Sequence, residues 1–217
     1  MLIFSLFWMS YFSFSAEVPK RIAPKASSSL QIDFRSHLRP FAQIPELKID
    51  YRKIQTSQTL KKEKRSRGRL FLTGRNFRLE EVEPDRTTLI FDGKSLWTLQ
   101  YPPEAFGDTP DISRLRVNQN HQEQMLLLSL LKGQFDQVFR VQSKSGKEYL
   151  LELKRPVVHV QDLRVRVQDA GVESVGWTDE LGNRTFFLFE NFEALAQRDR
   201  QRYQFKPPKG VAIMEIE

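Results

Sequence analysis

The sequence of 217 residues contains no cysteine. Disulfide bonds are therefore excluded, and an exported form of this chain must take its stability from an apolar core. The same absence excludes the acylated cysteine of a bacterial lipoprotein. We therefore expect a chain that carries no lipid anchor of its own.

Familiar catalytic motifs are also missing from the sequence. It has no Gly-x-Ser-x-Gly nucleophile elbow, no glycine-rich phosphate loop and no His-Glu-x-x-His pair. The three histidines, His37, His121 and His159, are far apart. His121 and Glu123 could share a metal, but a solvent-exposed histidine beside a helix cap is the simpler interpretation. We expect no enzyme activity, no metal and no cofactor.

The charge balance is basic, with a net charge of +7 and a pI of about 9.7. Such a surface favours acidic partners, namely nucleic acid, anionic lipid or an acidic protein face. Residues 61–69, KKEKRSRGR, concentrate six cations from Lys61 to Arg69. This run indicates contact with anionic lipid head groups or an acidic partner, or else a solvated hairpin tip. It lacks interleaved aromatic residues, so we expect no nucleic-acid partner.

The first sixteen residues, MLIFSLFWMSYFSFSA, carry no charged side chain. This stretch predicts a signal peptide over residues 1–16, cleaved after Ser15 or Ala16, although its start lacks the usual basic residues. It is shorter than the ~20 residues of a transmembrane helix. A non-cleaved anchor and a buried N-terminal segment remain as alternatives. Residues 17–29 form a polar leader, and we expect one domain over residues 30–217.

Hydrophobic periodicity divides that domain into one helix and a series of strands. Apolar residues recur every three to four positions from Leu30 to Phe41, which predicts an amphipathic helix that Pro40 bends or ends. From Leu47 the period becomes two, and tight-turn sequences such as Asp92-Gly93 separate the segments. These segments predict antiparallel strands at 47–58, 68–73, 76–83, 86–92, 95–101, 135–143, 147–155, 162–169, 172–178, 184–192 and 202–206.

One segment breaks the strand pattern. Residues 118–133, NQNHQEQMLLLSLLKG, predict a helix that ends near Lys132 and Gly133 and is apolar on almost every side. Such a helix is either buried in an ordinary core or covers something apolar that is not protein. We therefore expect a mainly β fold, an unclosed antiparallel β-barrel of about eleven strands covered by an α-helical lid.

Four stretches together resemble the LolA family of periplasmic outer-membrane lipoprotein carriers. Residues 92–103, DGKSLWTLQYPP, match its hairpin motif, and residues 203–211, YQFKPPKGV, match its closing motif. Residues 68–71 match its Gly-x-Leu strand, and Met125 to Leu131 resemble its lid. The resemblance extends over roughly residues 30–213.

This resemblance implies a periplasmic chaperone that binds the acyl chains of lipoproteins in an apolar cavity and shuttles them from the inner to the outer membrane. The partners implied are acylated lipoproteins, an inner-membrane lipoprotein-releasing ABC transporter and an outer-membrane lipoprotein acceptor. We expect a monomer. The alternative is a LolA-like carrier or sensor of another lipid or glycolipid.

The resemblance also implies which residues form the site. The cavity and its lid are expected to include Leu70, Leu72, Leu89, Phe91, Trp97, Leu99, Met125, Leu126, Leu128 and Leu131. Ordinary core packing is the alternative role for each of them. By position, Arg75 matches an arginine that holds the lid, and Phe77 matches an exposed aromatic that contacts the inner-membrane complex. The family's Arg-Pro turn is Arg75-Asn76 here, which weakens the match at Arg75.

Overall fold

The computed structural model describes residues 28–117, 123–132, 134–155, 160–169, 171–197 and 199–216. The predicted signal peptide and nearly all of the polar leader lie outside these residues, as do His121, His159 and Gly133. Within the described ranges, no helix has both the length and the apolar character needed to cross a membrane.

The described residues form three α-helices and twelve strands. The helices are α1 (Ser28–Ala42), α2 (Glu123–Leu131) and α3 (Phe135–Val138). The strands are β1 (Glu46–Ser57), β2 (Lys62–Leu72), β3 (Phe77–Glu83), β4 (Thr87–Phe91), β5 (Ser95–Gln100), β6 (Asp111–Arg116), β7 (Phe139–Ser145), β8 (Glu148–Leu153), β9 (Gln161–Gln168), β10 (Gly171–Thr178), β11 (Arg184–Leu195) and β12 (Ile213–Ile216).

All twelve strands belong to one sheet, in the order β12-β6-β5-β4-β3-β2-β1-β11-β10-β9-β8-β7. Neighbouring strands are antiparallel, except that β12 runs parallel to β6. The outermost strands, β7 and β12, each pair on one side, so the sheet is not closed into a ring. The predicted fold, an unclosed barrel-like sheet with helices, is confirmed.

The Asp92-Gly93 turn shows how the sequence sets one of these hairpins. Asp92 Oδ1 accepts from the backbone N–H groups of Lys94 and Ser95, each at 2.8 Å. Gly93 has φ +97°, which L side chains rarely adopt. The other carboxylate oxygen accepts from the indole N–H of Trp97 at 3.2 Å. The tryptophan of the DGKSLW motif therefore holds its own hairpin.

Several predicted strand boundaries were wrong. Residues 202–206 do not form a strand; a 3₁₀ helix occupies Arg200–Tyr203, anchored by the fully buried Glu46, which accepts from Tyr203 Oη at 2.9 Å. The basic run is mostly part of β2, which starts at Lys62 and not at 68. Residues 135–138 are helical. The sequence analysis missed the two strands β6 and β12, which are short and mostly unburied.

The helices pack on one face of the sheet, here called the inner face. Helix α1 buries Phe34, Leu38 and Phe41 there, as its periodicity predicted. Pro40 is exposed and does not end the helix, which continues to Ala42. Asp33 fixes α1 to the neighbouring hairpin by accepting from Lys144 Nζ at 2.6 Å and from Tyr149 Oη at 2.5 Å.

The opposite, outer face carries a smaller apolar cluster. Its buried residues are Ile90, Trp97, Leu99 and Ile112. The C-terminal segment crosses this cluster, and its Phe205 packs on Trp97 with ring centroids 5.3 Å apart. Gly210, at φ +81°, lies in the turn that precedes β12.

Candidate lipid-binding cavity

The inner face encloses a cavity of about 110 Å³ between the middle strands and α2. Strands β2, β3 and β4 supply most of one wall, and Leu127 of α2 faces them. The apolar lining residues are Leu70, Leu72, Phe77, Leu79, Leu89, Leu127, Trp177 and Phe187. The wall is therefore made largely of leucine and aromatic side chains.

Strand register aligns these side chains into rows. Leu79 of β3 lies opposite both Leu70 of β2 and Leu89 of β4. In the adjacent row, Phe77 lies opposite both Leu72 and Phe91. Because successive residues of a strand point to opposite faces, every second residue in each strand contributes to this wall.

Three of the ten residues predicted for the cavity and lid, Leu70, Leu72 and Leu89, line it directly. Phe91 is buried in the main core beside Phe77, with ring centroids 5.8 Å apart. On α2, the predicted residues Leu126, Leu128 and Leu131 are buried in that same core, and Met125 is partly buried against it. The helix residue that lines the cavity, Leu127, was not among those predicted.

Trp97 and Leu99 do not line the cavity. Both belong to the outer-face cluster, on the side of the sheet opposite to Leu89. Sequence alternation showed that the two residues share a face, but it did not show which face. The hydrogen bond from Trp97 to Asp92 and the covering C-terminal segment account for their burial.

Phe77 is only 1% exposed, so the expectation of an exposed aromatic for partner contact was wrong. It occupies an inward position of β3 and forms part of the cavity wall. Arg75 lies in the exposed turn between β2 and β3, and its side chain makes no hydrogen bond or ion pair with any described residue. The predicted contact between Arg75 and the lid is therefore absent from the described part of the chain.

Lys132, which follows α2 directly, instead ties this helix to α1. Its ammonium group donates to the carbonyl oxygen of Phe41 at 3.0 Å and also to that of Ile44. The residue is 7% exposed, and burial lowers the pKa of its ammonium group. A lysine at the end of an apolar helix was visible in the sequence, but its long-range partners were not.

One end of the cavity is polar. Lys53 of β1 and Glu81 of β3 form an ion pair there, and Gln55 and Thr185 complete the polar rim. The side chains of Lys53 and Glu81 are 13% and 10% exposed. Lys53 Nζ lies 6.0 Å from the centre of the Phe187 ring. The cavity therefore joins an apolar wall to a partly buried pair of charges.

The basic run is largely charge-compensated. Four of its six cations form ion pairs: Lys64 with Asp85 at 2.7 Å, Arg65 with Glu63 at 2.6 Å, Arg67 with Glu83 at 2.5 Å and Arg69 with Glu80 at 3.3 Å. Exposed pairs of this kind contribute little to stability. Their carboxylates do reduce the positive potential that an anionic surface would meet.

No group of three or more histidine, aspartate and glutamate residues in the described ranges could hold a metal ion. His37 is on α1 with its ring 6.1 Å from that of Tyr149. His121 and the Glu123 side chain, the pair considered for a shared metal, lie outside what the structure describes.

Comparison with known proteins finds one family and several relatives that resemble this chain. The family described as "Outer membrane lipoprotein carrier protein LolA" matches residues 42–206. An outer-membrane lipoprotein carrier protein of Neisseria meningitidis is 25% identical over 171 residues, which cover 74% of this chain and 77% of that protein. Proteins of the same name from Haemophilus influenzae and Serratia proteamaculans are each 22% identical, over 183 and 200 residues. These alignments cover 79% and 87% of this chain, and 82% and 91% of the two relatives.

Proposed function

This chain belongs to the LolA family of outer membrane lipoprotein carrier proteins, and on that premise we propose that it binds lipoprotein acyl chains between the inner face and α2. It shuttles them through the periplasm from the inner to the outer membrane. The observation that carries the proposal is the apolar cavity beneath a helix whose described side chains are almost all apolar.

The size of the cavity supports a lid that opens. A volume of about 110 Å³ is below the ~150 Å³ of an engineered apolar cavity that holds one benzene molecule. An acyl chain of sixteen carbons is much larger than benzene, so α2 has to move away from the sheet when the chain enters. Each buried CH₂ then contributes about 0.8 kcal/mol, and several chains together give substantial affinity.

The nature of the wall supports reversible binding. Leucine and phenylalanine rows offer surface that adapts to different chains and form no directional bonds with them. Such a wall shields a lipid from water and still releases it to a stronger acceptor. We assign delivery to an outer-membrane lipoprotein acceptor and loading to an inner-membrane ABC transporter.

Export of the chain is the second part of the proposal. The uncharged apolar stretch over residues 1–16 acts as a signal peptide, and the mature protein works as a periplasmic monomer. Sequencing the N-terminus of the protein recovered from periplasm should give a start near Ala16 or Glu17. Recovery of the intact Met1 form from cytoplasm would contradict export.

Release of lipoproteins from spheroplasts tests the function directly. Purified protein added to spheroplasts should bring lipoproteins into solution as one-to-one complexes. The Leu89→Asp variant should release none, because a charge placed in the apolar wall costs several kcal/mol to bury. The matched control is Val82→Asp, at an exposed position of β3.

Both variants should keep the circular dichroism spectrum of the wild type. If the wild-type protein binds free lipid yet never accepts a lipoprotein, the carrier proposal is wrong. The alternative, a LolA-like carrier or sensor of another lipid or glycolipid, would then be favoured.

A further inference from the structure

A group of polar side chains lies on the inner face at the charged end of the cavity, on three adjacent strands. We call Tyr51, Lys53, Ser66 and Glu81 the polar cluster. Lys53 of β1 lies directly opposite Ser66 of β2, and the next pair on the same face is Tyr51 with Gly68. Gly68 in turn lies opposite Glu81 of β3. Strand register therefore brings all four side chains to one place.

Gly68 provides the space in which the cluster meets. A Cβ atom at this position would lie 2.8 Å from the phenol oxygen of Tyr51 and 2.0 Å from the carbonyl oxygen of Glu80. The Tyr51 side chain therefore leans across β2 over the glycine. The same gap in β2 lets Lys53 of β1 reach Glu81 of β3, two strands away.

Two hydroxyl groups of the cluster have no hydrogen-bond partner among the described residues. Tyr51 is 1% exposed and Ser66 is 6% exposed, and neither hydroxyl makes a hydrogen bond to any described residue. A buried hydroxyl without a hydrogen-bond partner destabilises the fold. Burial, reinforced by the charges of Glu81 and Glu80, raises the pKa of the Tyr51 phenol far above its ordinary value. The phenol therefore keeps its proton at every physiological pH and can donate a hydrogen bond.

The cluster has the chemistry to bind carbonyl groups. Tyr51 and Ser66 each offer an O–H donor and Lys53 offers an ammonium group, while Glu81 offers acceptor oxygens for an N–H group. Ester and amide groups join the acyl chains of a lipid to its polar head, and they present carbonyl oxygens next to apolar chains. The cavity has the same arrangement, because its lining includes both the ammonium group of Lys53 and the apolar side chains of Leu70 and Phe187.

We propose that the polar cluster binds the ester and amide carbonyls of the bound lipid, so that the acyl chains extend from Lys53 toward Leu127. This inference rests on the proposed function and adds an orientation to it. The cavity would then distinguish ester-linked lipids from otherwise equal apolar molecules.

Paired lipids that differ in one linkage test the subsite. The first pair is a lipopeptide with a dipalmitoylglyceryl cysteine and its counterpart with ether-linked chains. The second pair is dipalmitoyl phosphatidylglycerol and its diether analogue. The wild type should bind each diester roughly tenfold more tightly than the diether, as expected for one or two hydrogen bonds to buried donors.

Removing one donor should remove the preference. Tyr51→Phe keeps the aromatic ring and should lower the ester preference to less than twofold, with affinity for the ether lipids unchanged. Ser66→Ala should lower it in part. The matched control is Tyr101→Phe, because Tyr101 packs against the outer-face cluster and should have no influence.

The results separate this inference from the proposed function. Equal binding of ester and ether lipopeptides by the wild type, or an intact preference in Tyr51→Phe, overturns the subsite and leaves the carrier function standing. A preference found for the phospholipid pair alone overturns the assignment to lipoprotein cargo. Failure to bind either lipopeptide refutes the proposed function itself.

Discussion

Replacing Lys132 with methionine should loosen α2 without unfolding the sheet. In the wild type, the buried ammonium group donates to two carbonyl oxygens, that of Phe41 in the last turn of α1 and that of Ile44 just beyond the helix. Methionine keeps a long flexible side chain but offers no donor. Lys132→Met therefore leaves both carbonyl oxygens without this partner and cuts the link between the two helices.

The size of the effect follows from two opposing contributions. A hydrogen bond from a charged group contributes roughly 1.5–3 kcal/mol. Burial of the ammonium group, which lowers the pKa of Lys132, offsets part of that gain. We expect a net loss of about 2 kcal/mol, and since 1.4 kcal/mol is tenfold, the open form of the lid should become roughly 30-fold more populated.

Amide hydrogen exchange measures this opening directly. Amides of residues 126–132 should exchange roughly 30-fold faster in the variant, while those of β1, β2 and β11 keep their wild-type rates. The control is Lys154→Met, which removes an exposed lysine that also donates to a backbone carbonyl, that of Asp136. Unchanged exchange in α2, or equal acceleration across the whole sheet, would refute a lid held by Lys132.

Three further predictions concern the rest of the fold. Gly68→Ala should lower the free energy of unfolding by about 1–3 kcal/mol in urea titrations, because the new methyl group collides with Glu80 O and the Tyr51 hydroxyl; unchanged stability would show that β2 has room to move. Hydrogen bonds from Lys144 and Tyr149 lower the pKa of Asp33 below its ordinary 3.8, so their contribution to stability is present above that pH and is lost as the pH falls through the folded pKa. Asp33→Asn should accordingly flatten the decline of Tm below about pH 4, and an unaltered decline would contradict this. Replacing both Lys61 and Lys62 with glutamine should weaken binding to anionic vesicles at low salt. The effect should exceed that of the same change at Arg65 and Arg67, whose charges are paired with carboxylates. A larger loss from the arginine change would show that this pairing does not reduce their attraction to the vesicles.

Much of the sheet could be predicted because its signals are local. Alternation and turn residues located ten of the strands, and a tight hairpin such as Asp92-Gly93 also determines which strands are neighbours. β6 and β12 were missed because each buries little: β6 has one buried residue, and β12, the outermost strand, has none. In β12 the partly buried residue is Ile213, and the other three are exposed. Their pairing depends on a parallel contact between segments about a hundred residues apart, for which no local pattern exists.

The candidate site was harder to predict than the fold, because alternation does not show which face is which. Leu89 and Trp97 are both apolar strand residues, yet one lines the cavity and the other supports a hairpin on the opposite side. The match to the family also gave the wrong environment for Phe77, which was expected to be exposed and is buried. The polar cluster had no sequence signal, since its residues come together only through the register of three strands.

The unpaired edges of β7 and β12 affect how far the sheet around the cavity can widen. In a closed β-barrel, the number of strands and their shear fix the diameter, so the interior has a constant width. An unclosed sheet can open slightly when the twist between adjacent strands changes, and the hydrogen bonds between those strands are kept. The wall of the cavity can therefore widen without loss of strand pairing.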